Sequence, residues 1–187
     1  PLSLVLDVPR TAVSIAFMSV SIAMVLGVII GVVDGDFGGI VDAVRNRSQD
    51  IRFAFPTLLL AIIIVAVLGP GLFNAALAIA IVYSPRFARI ARSSALSIRS
   101  SEYLDAAKLA GVSTITILYR HMLPNVMPPV IVLAALSMST AQLAYASLSF
   151  LGLGDPLRFS WGQILYWAQA QAALTMGWWW WWMPAGI

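Results

Sequence analysis

Long uncharged apolar runs alternate with short polar stretches along this chain, and run length decides the elements. Residues 11–33 carry no charged side chain. As a helix that run reaches about 35 Å, enough to cross the hydrocarbon core of a bilayer. A polar stretch, 34–52, follows with four aspartates and three arginines. The next uncharged run, 53–85, is too long for one span and is broken by Gly69-Pro70-Gly71. It therefore predicts two helices, 53–68 and 72–84, joined by a turn. Residues 86–125 form the most polar segment, and 126–151 predicts a fourth span. A loop, 152–160, leads to an interfacial helix over 161–173, and 178–187 begins a fifth span that is cut short. The expected fold is all-α, a polytopic transmembrane helical bundle with about five spans in one domain, 1–187.

Composition sharpens this by exclusion. Of 187 residues 60% are hydrophobic and 10% charged, with mean hydropathy +0.90, whereas a soluble domain carries about 25% charged residues. An ordinary water-soluble enzyme is excluded. So is a disordered chain, because apolar surface is plentiful. The net charge of +3 matters through its placement. Three arginines lie in 34–52 and six basic residues in 86–120, which leaves only Arg10 and Arg158 for the opposite side. The positive-inside rule makes 34–52 and 86–125 cytoplasmic. The run from Trp178 to Trp182 then falls at the outer interface, as an aromatic belt or as a stacking platform for a sugar or peptide ring.

Candidate chemistry is sparse. With one histidine, His121, and no cysteine, no cluster with metal-ligand spacing can be assembled. Asp34-Gly35-Asp36 opens like a calcium loop, but Arg45 stands where the twelfth position needs a bidentate Glu. Asn46-Arg47-Ser48 is a sequon on the cytoplasmic side. The one lysine, Lys108, lies between Ala107 and Leu109, so there is no phosphate-binding loop for ATP. No expected span holds Asp, Glu, Lys, Arg or His, which argues against a carboxylate relay. A sodium site built of carbonyls stays open. No catalytic and no metal site is predicted, and the energy for any transport is expected to come from outside the chain.

The polar segment 101–125 reads SEYLDAAKLAGVSTITILYRHMLPN. A short helix over 101–110 is predicted, capped by Ser100 or Ser101 with Glu102 near its positive end, and ended by Gly111 in a left-handed cap. Ala106, Ala107 and Ala110 give it a face that another surface could approach closely. A second helix is expected to stop at Leu123-Pro124.

Asp105-Ala106-Ala107, three residues, Gly111, nine residues, then His121-Met122-Leu123-Pro124 resembles the cytoplasmic Glu-Ala-Ala motif of the membrane subunits of ABC importers. Ala54-Phe55-Pro56, Glu102-Tyr103, Arg120 to Asn125, and the run from Ser147 to Gly154 followed by Ser160-Trp161-Gly162 narrow the resemblance. They look like the dipeptide/oligopeptide permease group, C-type subunit, along nearly the whole chain. Asp105 stands where the general motif has Glu, and His121 where it has Ile; the Asp keeps the charge.

The resemblance implies a type I permease-like fold and a transmembrane permease subunit of an ATP-driven importer of di- and oligopeptides. It implies a second permease subunit, two ATPase subunits that bind ATP and magnesium, and an extracytoplasmic substrate-binding protein as partners in the cell membrane, with no cofactor and no nucleic acid on this chain. Carried over by position, Glu102, Asp105, Ala106, Ala107, Gly111, Leu123 and Pro124 would make the contact with an ATPase subunit, with Arg99 at its rim. A complete chain is expected to carry one more span before Pro1 and to finish its last span after Ile187. The short loop 154–162 and the tryptophan run look like the sugar-handling branch, so the same architecture importing oligosaccharides is the alternative. A channel or secondary transporter without an ATPase partner is the alternative of another class, and a membrane scaffold a third.

Three features keep two readings each. Gly27 and Gly31 are either a close helix-packing pair or a coincidence of composition. In the fourth span Ser139, Gln142 and Tyr145, with Ser137, Thr140 and Ser147, either line a substrate path or hydrogen-bond between helices. Arg86, Arg89 and Arg92 either snorkel to headgroups or meet an ATPase subunit.

Overall fold

The computed structural model describes residues 2–36, 56–99, 101, 103–104, 109–173 and 175–181. Every regular element among them is helical. In chain order these are α1, Leu2–Asp36; α2, Thr57–Leu68; α3, Leu72–Arg99; α4, Thr114–Ile117, continued by a π-helical turn, Leu118–Met122; α5, Leu123–Phe150; and α6, Trp161–Ala170. The chain divides into two compact units, 1–21 with 56–82 and 137–187, and 22–55 with 83–136.

In the first unit, α2 and α3 form a hairpin around Gly69-Pro70-Gly71. Gly69 and Gly71 have φ of +88° and +151°, and Asn74 Nδ2 donates to the carbonyls of Leu68 (2.9 Å) and Gly69 (3.1 Å), closing the turn. The core gathers Val8, Ile15, Val20, Val65, Ile79 and Leu148. On α2 only Ala61 and Val65 are buried, and Leu59, Ile63 and Val67 stand exposed. An apolar helix with so little of its surface covered fits lipid or a partner subunit rather than water.

The second unit packs α1 on α3 through small residues. A Cβ on Gly27 would collide with Phe87 Cβ and stand 2.7 Å from the Ser84 carbonyl. One on Gly31 would collide with the Ala88 carbonyl and stand 2.8 Å from Ala91 Cβ. The glycine pair is therefore a packing seam, where absent side chains let two backbones meet.

Several boundaries differ from the sequence expectation. Helix α1 begins at Leu2 and runs through Pro9, nine residues before the expected start at Thr11. Helix α3 continues through Pro85 to Arg99 instead of ending near Ser84. Its continuation is amphipathic: Tyr83, Phe87, Ala88, Ala91 and Ala95 are buried, while Arg86 and Arg89 are exposed. This buried stripe holds the helix through a residue that ordinarily ends one.

The helix expected to stop at Leu123-Pro124 does not stop. Helical structure is continuous over Thr114–Phe150, 37 residues. The π-helical turn lies immediately before Pro124, with the Leu123 N–H bonded to the Leu118 carbonyl. A wider turn gives the proline ring room that a regular turn would deny it. Asn125 Nδ2 donates to the His121 carbonyl at 2.7 Å. Among the described residues, Val8–Val33 and Thr114–Phe150 are long and apolar enough to cross a membrane. At 12 residues α2 is shorter than a full span.

Candidate functional site: a coupling segment and an uncharged cavity

The two groups of expected site residues fall in different units. Glu102, Asp105, Ala106 and Ala107 lie outside the described residues; Gly111, Leu123 and Pro124 are described. Gly111 has φ +78°, the left-handed conformation of a helix end, and is exposed, with no atom within 4 Å of where a Cβ would stand. The Ser101 hydroxyl and N–H both turn back to the Ile98 carbonyl, at the end of α3, while its own carbonyl accepts the Leu104 N–H at 3.1 Å; Ser100 lies outside the described residues. Beyond Gly111, Ser113 caps α4 by accepting the Thr116 N–H at 3.3 Å.

The segment is divided into an inner and an outer face. Leu104, Ile117 and Met122 are buried, and with Arg99, Val112, Thr114 and Leu118 they line a small cavity of about 370 Å³. Tyr103 and His121 bring their rings to 6.1 Å. On the outside Leu109, Ile115 and Tyr119 are 90%, 71% and 67% exposed. Sequence reasoning missed these three; the helical spacing of Ile115 and Tyr119 was the available signal. Leu123 is half-buried and Pro124 exposed. Nearby on α3, the Arg86 guanidinium lies 5.1 Å from the centre of the Tyr83 ring, a cation–π contact.

The first unit contains the larger space, a cavity of about 1040 Å³. Ser139, Gln142 and Tyr145 all line it, together with Ala12 of α1, Leu58 of α2 and Trp161, Gly162 and Leu165 of α6. The polar residues of α5 sort into two kinds. Thr140 Oγ1 donates to the Ser137 carbonyl (3.0 Å) and Ser147 Oγ to the Leu143 carbonyl (2.9 Å), so their hydroxyls are bound by their own helix. Tyr145 is only 2% exposed, and among the described residues its Oη finds no hydrogen-bond partner. The same holds for Ser149 Oγ one turn on.

The wall facing α5 is set by the run from Ser147 to Gly162. Helix α5 ends with Leu153 N–H on the Leu148 carbonyl (2.9 Å) and Gly152 N–H on Ser149 (3.0 Å), with Gly152 at φ +80°. That pairing is a Schellman end, which turns the chain sharply. Gly154 then passes so close to Ser149 that a Cβ would stand 2.9 Å from Ser149 Cβ. Asp155 Oδ1 takes the Leu157 N–H (2.9 Å), Ser160 caps α6 by accepting the Gln163 N–H (3.2 Å), and Gly162 lays α6 against α5. A Cβ on Gly162 would collide with the Ala146 carbonyl oxygen and stand 2.9 Å from Phe150 N. Helix α6 is therefore clamped on α5. Trp161 and Gly162 were visible in the sequence only as part of a motif, without this role.

Comparison with known proteins agrees with the geometry. The family described as "Binding-protein-dependent transport system inner membrane component" matches residues 23–185. The dipeptide transport system permease protein DppC of Alkalihalophilus pseudofirmus is 43% identical over 83% of this chain and 52% of its own length. The di/tripeptide transport system permease protein DppC of Pseudomonas aeruginosa is 39% identical over 94% of this chain and 57% of its own. The glutathione transport system permease protein GsiD of Pectobacterium atrosepticum is 35% identical over 88% and 55%. The chain spans about half the length of the curated relatives it matches. Among solved structures, the MetNI methionine ABC transporter in inward-facing conformations has a TM-score of 0.73 and 20% identity, over 89% of this chain and 81% of that one, a likeness of fold.

Proposed function

The chain belongs to the binding-protein-dependent transport system inner membrane components, and from that premise we propose that it is part of a permease subunit of an ATP-driven importer of di- and oligopeptides. It sits in the cell membrane as a multi-pass protein with 34–52 and 86–125 on the cytoplasmic side. It works with a second permease subunit, two ATPase subunits and an extracytoplasmic binding protein, and ATP is hydrolysed in the partners. Residues 101–124 rest on an ATPase subunit, with Glu102, Asp105, Ala106, Ala107 and Gly111 at the contact and Leu123-Pro124 joining it to α5. Ser139, Gln142 and Tyr145 line the translocation path.

The observation that carries this reading is the outer face of Leu109, Ile115 and Tyr119 beside the left-handed Gly111 turn. Such an exposed apolar face fits a docking element. Through the wide turn at 118–122 it is continuous with α5, the helix that lines the cavity.

The test uses the full-length permease with its partner permease, ATPase subunits and binding protein in proteoliposomes. ATP hydrolysis is measured with and without peptide-loaded binding protein, for wild type and Gly111→Pro. Proline locks φ near −65° and cannot adopt +78°. The expected result is stimulation in wild type that Gly111→Pro abolishes while the assembled complex still purifies. Hydrolysis indifferent to the permease in wild type would overturn the importer reading.

A further inference from the structure

The cavity of the first unit has a lining of unusual chemistry for a peptide path. None of the residues that line it carries a formal charge. Charged groups stand close by in sequence but do not line it: Asp155 uses a carboxylate oxygen on the Leu157 N–H, and Arg158 is exposed in the same loop. What the lining offers is the carboxamide of Gln142 and the hydroxyl of Ser139, with Tyr145, set among Leu58, Leu143, Phe150, Trp161 and Leu165.

A carboxamide both donates and accepts, as does a hydroxyl. Together they match a group that also does both, which is what a peptide bond or a sugar hydroxyl presents. A charged group entering the same space would lose its hydration and gain no counter-charge, a net cost. An apolar wall with a few neutral hydrogen-bonding groups instead holds a passing ligand weakly enough to release it.

Building on the reading of Ser139, Gln142 and Tyr145 as path residues, we propose that this cavity binds the uncharged, donor-and-acceptor segments of a short oligomer, with Gln142 as the polar anchor, and that it disfavours charge of either sign equally. Selection between acidic and basic substrates is then made elsewhere in the assembly. The occupant is the amide-bearing middle of a short peptide; an oligosaccharide offers the same chemistry through hydroxyls, and the test separates the two.

The experiment measures initial uptake per ATP hydrolysed in proteoliposomes of the full complex, with labelled tri-alanine, Ala-Lys-Ala, Ala-Glu-Ala and cellobiose. The variants are Gln142→Leu, Gln142→Glu and Ser139→Ala. In wild type the ratio of Ala-Lys-Ala to Ala-Glu-Ala uptake reports the selection made elsewhere in the assembly. Gln142→Leu and Ser139→Ala are expected to leave that ratio unchanged to within about twofold, since a neutral wall has no sign preference. Gln142→Leu lowers uptake of every peptide by about two- to tenfold, the loss of one neutral hydrogen bond, while loaded binding protein still stimulates hydrolysis. Gln142→Glu splits the pair, cutting Ala-Glu-Ala more than about tenfold against Ala-Lys-Ala, because like charges now meet in a poorly hydrated space. Cellobiose uptake with the same dependence on Gln142, and no peptide uptake, would support the site and assign hydroxyls as its ligand. A Gln142→Glu variant that keeps the wild-type ratio of Ala-Lys-Ala to Ala-Glu-Ala uptake would overturn the proposal, as would Gln142 and Ser139 variants that transport every substrate as wild type does. Neither result touches the coupling reading. Loss of binding-protein stimulation in wild type would instead overturn that reading, and this proposal with it.

Discussion

In the first unit Ser139, Gln142 and Tyr145 of α5 line an uncharged cavity, and the helix that closes it is held by backbone-to-backbone contact at Gly162. In the second unit Arg86 and Arg89 of α3 lie outside, and beyond α3 the apolar residues Leu109, Ile115 and Tyr119 are exposed as well. Glycine serves two opposite purposes, and the second unit holds both. Gly27, Gly31 and Gly162 are seats into which a neighbouring backbone fits, while Gly111 stands in open space and is needed only for its left-handed φ. One kind of glycine fixes a wall, and the other lets an exposed element turn.

This difference can be broken one residue at a time. The largest effect is expected for Gly162→Leu, because the first atom it meets is the Ala146 carbonyl and backbone cannot step aside. A loss of roughly 3 kcal/mol or more is anticipated for such overpacking. Thermal unfolding of the full-length protein in detergent would show it, and an unchanged midpoint would contradict the clamp. Gly31→Ala in the other unit meets the Ala88 carbonyl and Ala91 Cβ, and should cost about 1–3 kcal/mol in the same assay. Ser160→Ala removes the hydroxyl that caps α6, a loss of about 1 kcal/mol. It should also lower peptide uptake, since Ser160 lines the cavity. Gly111→Ala is expected to cost about 1 kcal/mol, from the left-handed φ alone, since nothing stands where its Cβ would be. Its effect on stimulated ATP hydrolysis should exceed its effect on the unfolding midpoint, the reverse of Gly162→Leu.

The all-α character and the hairpin at Gly69-Pro70-Gly71 were readable because run length and turn residues act locally. Proline misled twice. At Pro85 the helix survives because the residues beyond it, Phe87, Ala88 and Ala91, bury a continuing stripe. At Pro124 a π-helical turn absorbs the ring. Both outcomes depend on tertiary packing and turn geometry, which local propensity does not carry. Of the residues expected in the path, Ser139, Gln142 and Tyr145 do share one cavity, because positions three apart are neighbours on a helix surface. The contribution of Trp161 and Gly162 was not readable, since it depends on α6 folding back onto α5 through the Schellman end at Gly152.

The central claim is that the outer face of 109–119 docks on an ATPase subunit. The chain holds no cysteine, so single replacements at Leu109, Ile115 and Tyr119 can each be cross-linked in isolation along this stretch. In the full complex each should link to an ATPase subunit, with a yield that changes when ATP is added, while a cysteine at exposed Val67 of α2 links to none. Equal labelling of all four positions by a small water-soluble reagent, with no cross-link to any ATPase subunit, would contradict the account.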